Sequence, residues 1–297
     1  MPPLRDEALL AEGRAFFIER WPIMTQACGN SLGKVYLVGA GPGDPRLITV
    51  RGVECLAEAD LVLYDYLVSP EMTRYAPGSA ECVCLGHPHA GREMLQQEIN
   101  RRMVAAARTG QIVVRLKSGD PCLFGRGAEE VEALTAAGVP HEVVPGVTAA
   151  FAVASHAGIP LTHRDLAPAV ALITGHRRGD GAGPELDYGR LAQFPGTLVF
   201  YMGITTSRQW SDALLRGGRS PDTPVAIVRR ASWPDQETVR CTLGTVADVI
   251  EQKKLCPPAV IVVGEVVGLG VVSRLPSPPA PLPSCRVRQE GEGSYES

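Results

Sequence analysis

Two turns in this 297-residue chain set an aspartate beside glycines directly after an apolar run. The first is Gly39-Ala40-Gly41-Pro42-Gly43-Asp44, after residues 35–38; the second is Ser118-Gly119-Asp120-Pro121, after residues 112–116. Loops at the carboxyl ends of strands are where open α/β sheets bind ligands, so both turns are expected to face one crevice. The first turn is not the dinucleotide fingerprint. Asp44 stands where the third glycine would be, and Pro42 removes one N–H, so a pyrophosphate would meet missing donors and a negative charge. A ligand with cationic centres suits two acidic turns better, and the sulfonium and ammonium groups of S-adenosylmethionine are of that kind.

The elements that must position these turns follow from the apolar pattern. Strands are expected at 35–38, 60–64, 81–85, 112–116 and 141–144, with helices at 44–59, 92–108, 128–137 and 148–157. Continuous apolar strands alternating with helices indicate a mainly parallel sheet covered on both faces. Beyond Pro160 the style changes: strands at 170–174, 197–202, 225–228, 238–242 and 260–263 are separated by shorter helices, which suggests a mixed sheet. The chain is thus expected to hold an N-terminal arm (1–32), an α/β domain (33–164), a second α/β domain (165–272) and a disordered proline-rich tail (273–297). The glycine-rich stretch 177–184 reads as a mobile loop, and no internal repeat is visible.

Composition narrows the function. Basic and acidic side chains number 29 and 32, for a net charge of −3, which gives no pull toward nucleic acid or membrane. Lysine occurs only at 34, 117, 253 and 254, so nearly all the basic charge is arginine. Arginine's planar fork suits an anionic substrate, although genome composition also produces such a bias. The eight cysteines show no zinc spacing, so no metal is expected and a reduced, cytoplasmic protein is the simpler account. Arg5, Asp6, Glu7 and Glu12 interrupt any leader-like apolar segment, and Glu265 interrupts the longest apolar stretch, so neither a signal peptide nor a membrane span is expected.

Several motifs, in order, carry a family resemblance. Val35-Tyr-Leu-Val-Gly-Ala-Gly-Pro-Gly-Asp44 and Val114-Arg-Leu-Lys-Ser-Gly-Asp-Pro-Cys-Leu-Phe-Gly-Arg-Gly-Ala-Glu-Glu130 resemble the two signatures of the tetrapyrrole methylases. Leu63-Tyr-Asp-Tyr-Leu-Val-Ser69, Pro160-Leu-Thr-His-Arg-Asp165, Thr174-Gly-His176 and Tyr201-Met-Gly203 are similar to those of the uroporphyrinogen-III C-methyltransferases within that superfamily. The resemblance spans residues 34–270. It implies two α/β domains with the active site in the cleft between them, a homodimer, and S-adenosylmethionine as methyl donor. It also implies methylation of uroporphyrinogen III at C2 and C7 to precorrin-2, which feeds sirohaem or cobalamin synthesis.

Carried over by position, the resemblance assigns the donor site to Pro42, Ser118, Gly119, Asp120, Thr148, Ala149, Met202, Ala231 and Ala259. Small residues and turns let backbone approach a ligand closely, which agrees with that set; taken singly, Pro42 and Gly119 also serve as turn formers and Met202 as core. The substrate's carboxylates point to Arg115, Arg126 and Arg164, with His163 and His176 behind them. Arg126 also has Glu129 and Glu130 within helical reach. Asp65 occupies the position proposed for the general base, and equally suits a turn aspartate.

The chain departs from the family where Gly86-His87-Pro88 replaces the usual Gly-Lys-Arg, whose lysine is a proposed proton donor. His87 exchanges protons near neutral pH but is shorter and not reliably charged. Ser118 and Cys122 replace a common glycine and a common aromatic. Rival readings are a later corrin-pathway methylase, a methylase acting on RNA or protein, and a non-catalytic binding homologue. Thirty-two preceding residues are too few for the dehydrogenase–chelatase module to which some relatives are fused, so the chain is expected to be monofunctional.

Overall fold

Alternating side chains in the first strands point to opposite faces, and each face has its own core. In this computed structural model, which describes residues 32–86, 94–176 and 185–269, β1 (Lys34–Gly39), β2 (Leu61–Tyr64), β3 (Glu81–Cys84), β4 (Ile112–Lys117) and β5 (His141–Val144) form one sheet. Their order is β3-β2-β4-β1-β5, and every pair is parallel. Tyr36, Val38, Val62 and Val114 pack toward Cys55 and Leu56 of α1 (Val50–Ala57). Val35, Leu37, Leu63 and Val113 pack toward Ile99 and Met103 of α2 (Gln96–Arg108) and Leu134 of α3 (Gly127–Ala136). Burial on both faces is why β1 and β2 read as nearly unbroken apolar runs, whereas the edge strands β3 and β5 are partly exposed.

Helical boundaries differ from expectation where side chains cap the backbone. The expected helix at 44–59 is split: Asp44 caps a 3-10 turn at Pro45–Leu47, the chain is extended at Ile48 and Thr49, and Thr49 caps α1 by accepting from the Gly52 N–H at 3.1 Å. Two caps within six residues each open a new segment. The next helix begins at Gln96 rather than at 92, because the Met94 N–H is committed to the Leu85 carbonyl at 3.1 Å and Leu95 is extended.

The second sheet has the order β6-β7-β10-β8-β9, built from β6 (Val170–Thr174), β7 (Thr197–Tyr201), β8 (Pro224–Arg229), β9 (Glu237–Thr242) and β10 (Ala259–Val263). Only β6 and β7 run parallel; the other pairs are antiparallel, as the mixed pattern suggested. On one face Phe200 stacks on Trp210, ring centroids 4.4 Å apart, among residues of α5 (Tyr188–Ala192), α6 (Ser207–Arg216) and α7 (Val246–Gln252). The other face packs Val199, Val228, Val260 and Val262 against Ala150, Ala152 and Val153 of α4 (Ala149–His156). That helix precedes the expected boundary at 164, so the second sheet takes its cover from a segment assigned in the sequence to the first domain. The expected arm, the 177–184 loop and the tail from 273 lie outside the described residues.

One ion cluster on the first sheet gives a pH prediction. Glu142 on β5 accepts from Arg51 Nε at 2.9 Å and Lys34 Nζ at 2.7 Å. Hydrogen bonds from Arg51 are the main reason its carboxyl is held down, to about 2. A depressed acid binds fewer protons when folded, so its contribution is complete above the ordinary value of about 4.3 and is lost as pH falls toward 2. Glu142→Gln is therefore expected to destabilise by about 1 kcal/mol at pH 7, the cluster being solvent-screened. The gap between variant and parent should close as urea midpoints are taken at pH 7, 4 and 3.

Candidate active site

Parallel strands bring all their carboxyl ends to one edge, and the strand order sets which loops are neighbours. Along that edge come Leu85 after β3, Asp65 after β2, Ser118 after β4, Ala40 and Gly41 after β1, and Gly146 after β5. The two glycine turns found in the sequence touch. Gly41 and Gly119 exchange backbone hydrogen bonds at 3.2 and 2.7 Å, and the Ala40 N–H donates to the Lys117 carbonyl at 2.7 Å. A third turn joins them at Gly146, a residue not singled out in the sequence, just before the Thr148 and Ala149 that the resemblance assigned. A side chain on Gly146 would meet the Gly119 oxygen at 2.2 Å, so backbone packs on backbone here. Gly119 itself is open: a Cβ there would have only Thr148 Cα within 4 Å, at 3.8 Å. The only local hint of the third turn was a Pro-Gly pair after a short apolar strand.

The aspartates in these turns are engaged within the loops themselves, which the electrostatic reading of the sequence did not anticipate. Asp44 is buried, with its carboxylate accepting from Arg46 Nη2 at 2.6 Å, Arg46 Nε and the Arg46 N–H. Burial acts to raise its pKa, but the Arg46 bonds outweigh that and hold the carboxyl below its usual range. Asp120 accepts from the Cys122 N–H at 2.8 Å and, across to the third turn, from the Gly146 N–H at 3.0 Å. Both carboxylates fasten loops. What the cleft offers a ligand is open glycine backbone.

The second sheet closes the cleft from the other side. β7 and β8 end, and β10 begins, at one edge, which places Met202, Ala231 and Ala259 together. Met202 holds a left-handed backbone (φ 53°) and is 46% exposed, an uncommon state for an apolar non-glycine residue. Four hydrogen bonds pin this edge to the glycine turns and the start of α4. The Tyr201 hydroxyl lies 2.6 Å from Thr148 Oγ1 and accepts from the Ala150 N–H at 2.9 Å. Trp233 Nε1 donates to the Pro42 carbonyl at 2.9 Å. The Asp44 N–H donates to Ser232 Oγ at 3.1 Å. Trp233 and Ser232 carried no sequence signal, since each partner lies about 190 positions away (|i−j| of 191 and 188).

The charged residues sort by depth. Asp65 sits at the cleft edge with its side chain 31% exposed, and Arg115 Nη2 donates to it at 2.5 Å. Arg115 was expected to meet substrate carboxylates; instead it is 2% exposed beneath the edge, its Nε on Glu130 at 3.0 Å and its Nη1 on the Leu116 carbonyl at 3.2 Å. β4 puts it on the face covered by α2 and α3, so its fork points into protein carboxylates. Arg126 stays on the surface at the start of α3, paired with Glu129 at 2.7 Å, as helical spacing allowed. Arg164 is exposed, His163 forms a turn with Ala167, and the His176 N–H donates to Thr174 Oγ1. His87 lies outside the described residues. No cluster of metal ligands occurs among the described residues, and no helix there is long and apolar enough to cross a membrane.

A parallel sheet and a mixed sheet whose edges meet over glycine turns define an α/β protein of two sheets joined along that edge. The chain belongs to the tetrapyrrole (corrin/porphyrin) methylases, whose family model matches residues 34–247. It is similar to the uroporphyrin-III C-methyl transferase from Thermus thermophilus complexed with S-adenyl homocysteine, at 44% identity and TM-score 0.68, covering 80% of this chain and 94% of that one. It is also similar to a cobalt precorrin-4 methyltransferase, at 35% identity and TM-score 0.71, covering 79% and 95%. The siroheme synthase of Hydrogenovibrio crunogenus is 46% identical over 241 residues, 80% of this chain and 50% of that protein. The chain thus spans about half the length of the curated relatives it matches.

Proposed function

We propose that this chain methylates uroporphyrinogen III at C2 and C7, with S-adenosylmethionine as methyl donor, to give precorrin-2. The observation that carries the reading is the three-turn glycine cradle facing the Tyr201–Met202 edge, in a chain 44% identical to a transferase holding S-adenyl homocysteine. The cradle fits a donor held by backbone, since Gly119 leaves open space where a side chain would intrude. Pro42, Ser118, Gly119, Asp120, Thr148 and Ala149 would hold it from one side, and Met202, Ala231 and Ala259 from the other. Asp120 does so through the turn it fastens.

The donor, when bound, supplies an electrophilic methyl group on sulfonium. The chain's task is then mainly alignment of an electron-rich pyrrole carbon with that methyl. As the new carbon–carbon bond forms, the methyl–sulfur bond breaks, and the ring system later sheds a proton. Asp65 is the base for that proton: it is half-exposed at the cleft edge and oriented by Arg115. Arg126 and Arg164 are the surface cations for the macrocycle's carboxylates, and His87 stands at the family's proton-donor position. A cytoplasmic homodimer completes the reading.

The likeness to the cobalt precorrin-4 methyltransferase supports a second substrate, a later corrin. Anaerobic incubation with enzymatically generated uroporphyrinogen III and S-adenosylmethionine separates the two. The expected mass gain is two methyl groups. No gain, with donor binding shown by calorimetry and a gain on a precorrin, would replace the first reading by the second.

A further inference from the structure

Three ionised side chains are buried directly beneath Asp65. Arg115 and Lys117, two positions apart on β4, are each 2% exposed, and Glu130 of α3 is fully buried. Glu130 Oε1 accepts from Arg115 Nε at 3.0 Å, Lys117 Nζ at 3.0 Å and Gln96 Nε2 at 3.1 Å, so β4, α2 and α3 converge on one carboxylate oxygen. Its Oε2 lies 2.9 Å from Lys117 Nζ without hydrogen-bonding geometry. Burial, and then the neighbouring Arg115, lowers the proton affinity of Lys117. Two cations and one carboxylate are thus enclosed, and the cleft-edge Asp65 carboxylate is the second negative charge that faces them.

Such a cluster is poorly explained by stability alone. Desolvating three charges is costly, and well-packed apolar residues would often serve the fold as well or better. What it achieves geometrically is a fixed guanidinium. With Nε tied to Glu130 and Nη1 to the Leu116 carbonyl, the planar fork leaves Nη2 aimed at Asp65 Oδ1 at 2.5 Å. An arginine not fastened at Nε would swing its fork and take the Asp65 carboxylate with it.

We propose that Glu130 is a positioning residue for Asp65, acting through Arg115, with Lys117 as the balancing buried cation. The proposal rests on the reading of Asp65 as base. Glu130→Gln keeps the shape and loses the charge-assisted bonds. Its kcat, counted per donor-binding site by calorimetry, is expected to fall about 10- to 100-fold, the scale on which small misplacements act. Affinity for S-adenosylmethionine and the KM for the macrocycle should stay within about threefold, an effect too small to matter beside the kcat loss.

Arg115→Lys keeps the charge without the fork and should show the same split, which guards against a Glu130→Gln protein that fails to fold. The deciding measurement is the cycle with Asp65→Ala: adding Glu130→Gln or Arg115→Lys to that variant should cost no further rate. A loss that multiplies, or parental kcat in both single variants, overturns the positioning role while leaving Asp65 as base. Full turnover by Asp65→Ala alone would instead remove the base reading and this proposal with it.

Discussion

Asp65→Ala is expected to bind S-adenosylmethionine within about twofold of the parent and to turn over about 10²- to 10³-fold more slowly, the usual worth of a positioned general base. The expectation comes from where Asp65 sits. It follows β2, while the glycine cradle is built after β4, β1 and β5, and the Asp65 carboxylate is bonded to Arg115 rather than to any cradle residue. Donor binding should therefore not register its loss. The alanine variant does strand Arg115 Nη2, and an unsatisfied buried donor costs about 1–3 kcal/mol. Asp65→Asn controls for this, because its amide oxygen still accepts from Arg115 but cannot take a proton at working pH. The asparagine variant should regain most of the stability and none of the rate. Single-turnover methylation with calorimetric donor titration gives both numbers. Loss of donor affinity in Asp65→Asn, or restored turnover, would remove the assignment.

Periodicity sees one strand at a time, and that was enough for the scaffold. All ten strands lie close to where the sequence placed them; those buried on both faces, such as Val35–Val38 within β1, leave an unbroken apolar trace. The cradle was half legible for the same reason: Gly39–Asp44 and Ser118–Asp120 directly follow such runs. What the sequence hid is decided by the third dimension. Arg115, a candidate for the substrate's carboxylates because it sits in a matching motif, is turned by the pleat of β4 toward Glu130, a partner 15 residues on. Asp44 and Asp120 read as charges facing a ligand, whereas each closes on backbone N–H groups, Asp44 on Arg46 and Asp120 on Cys122 and Gly146. Aspartate's short side chain favours such local bonds, and a pattern of residue types cannot show which way it turns.

The same contrast separates two roles for charge in this molecule. Exposed pairs such as Arg126–Glu129 and Arg208–Asp248 are expected to contribute little to stability, since solvent screens them. The enclosed Arg115–Glu130–Lys117 group is costly to bury and touches the cleft through one atom, Arg115 Nη2. Charge on the surface is cheap and interchangeable. Charge beneath Asp65 has one geometry, which is why the functional argument runs through it.

Gly146→Ala should damage both the fold and the donor cradle. Its Cβ would lie 2.2 Å from the Gly119 oxygen and 2.7 Å from Gly39 Cα, both backbone atoms that no rotamer change can move aside. The relation is mutual, since a Cβ on Gly39 would meet Gly146 Cα at 2.5 Å. Relief requires the turn after β5 to move off the other two. That motion would break the Gly146 N–H bond to Asp120 and carry Thr148 away from the Tyr201 hydroxyl. Overpacking of this kind costs about 1–3 kcal/mol, and the lost bonds add about 1 kcal/mol more. Since the displaced turns form the donor cradle, affinity for S-adenosylmethionine should fall at least about tenfold, the worth of a single 1.4 kcal/mol change. Gly138→Ala is the control for a methyl group without contacts: nothing lies within 4 Å of it, although its backbone, unlike that of Gly146, is left-handed (φ 67°). It should cost about 1 kcal/mol in urea midpoint and leave donor affinity untouched. Parental affinity in Gly146→Ala would mean that the donor does not rest on these three turns, and the cradle would have to be placed elsewhere along the edge.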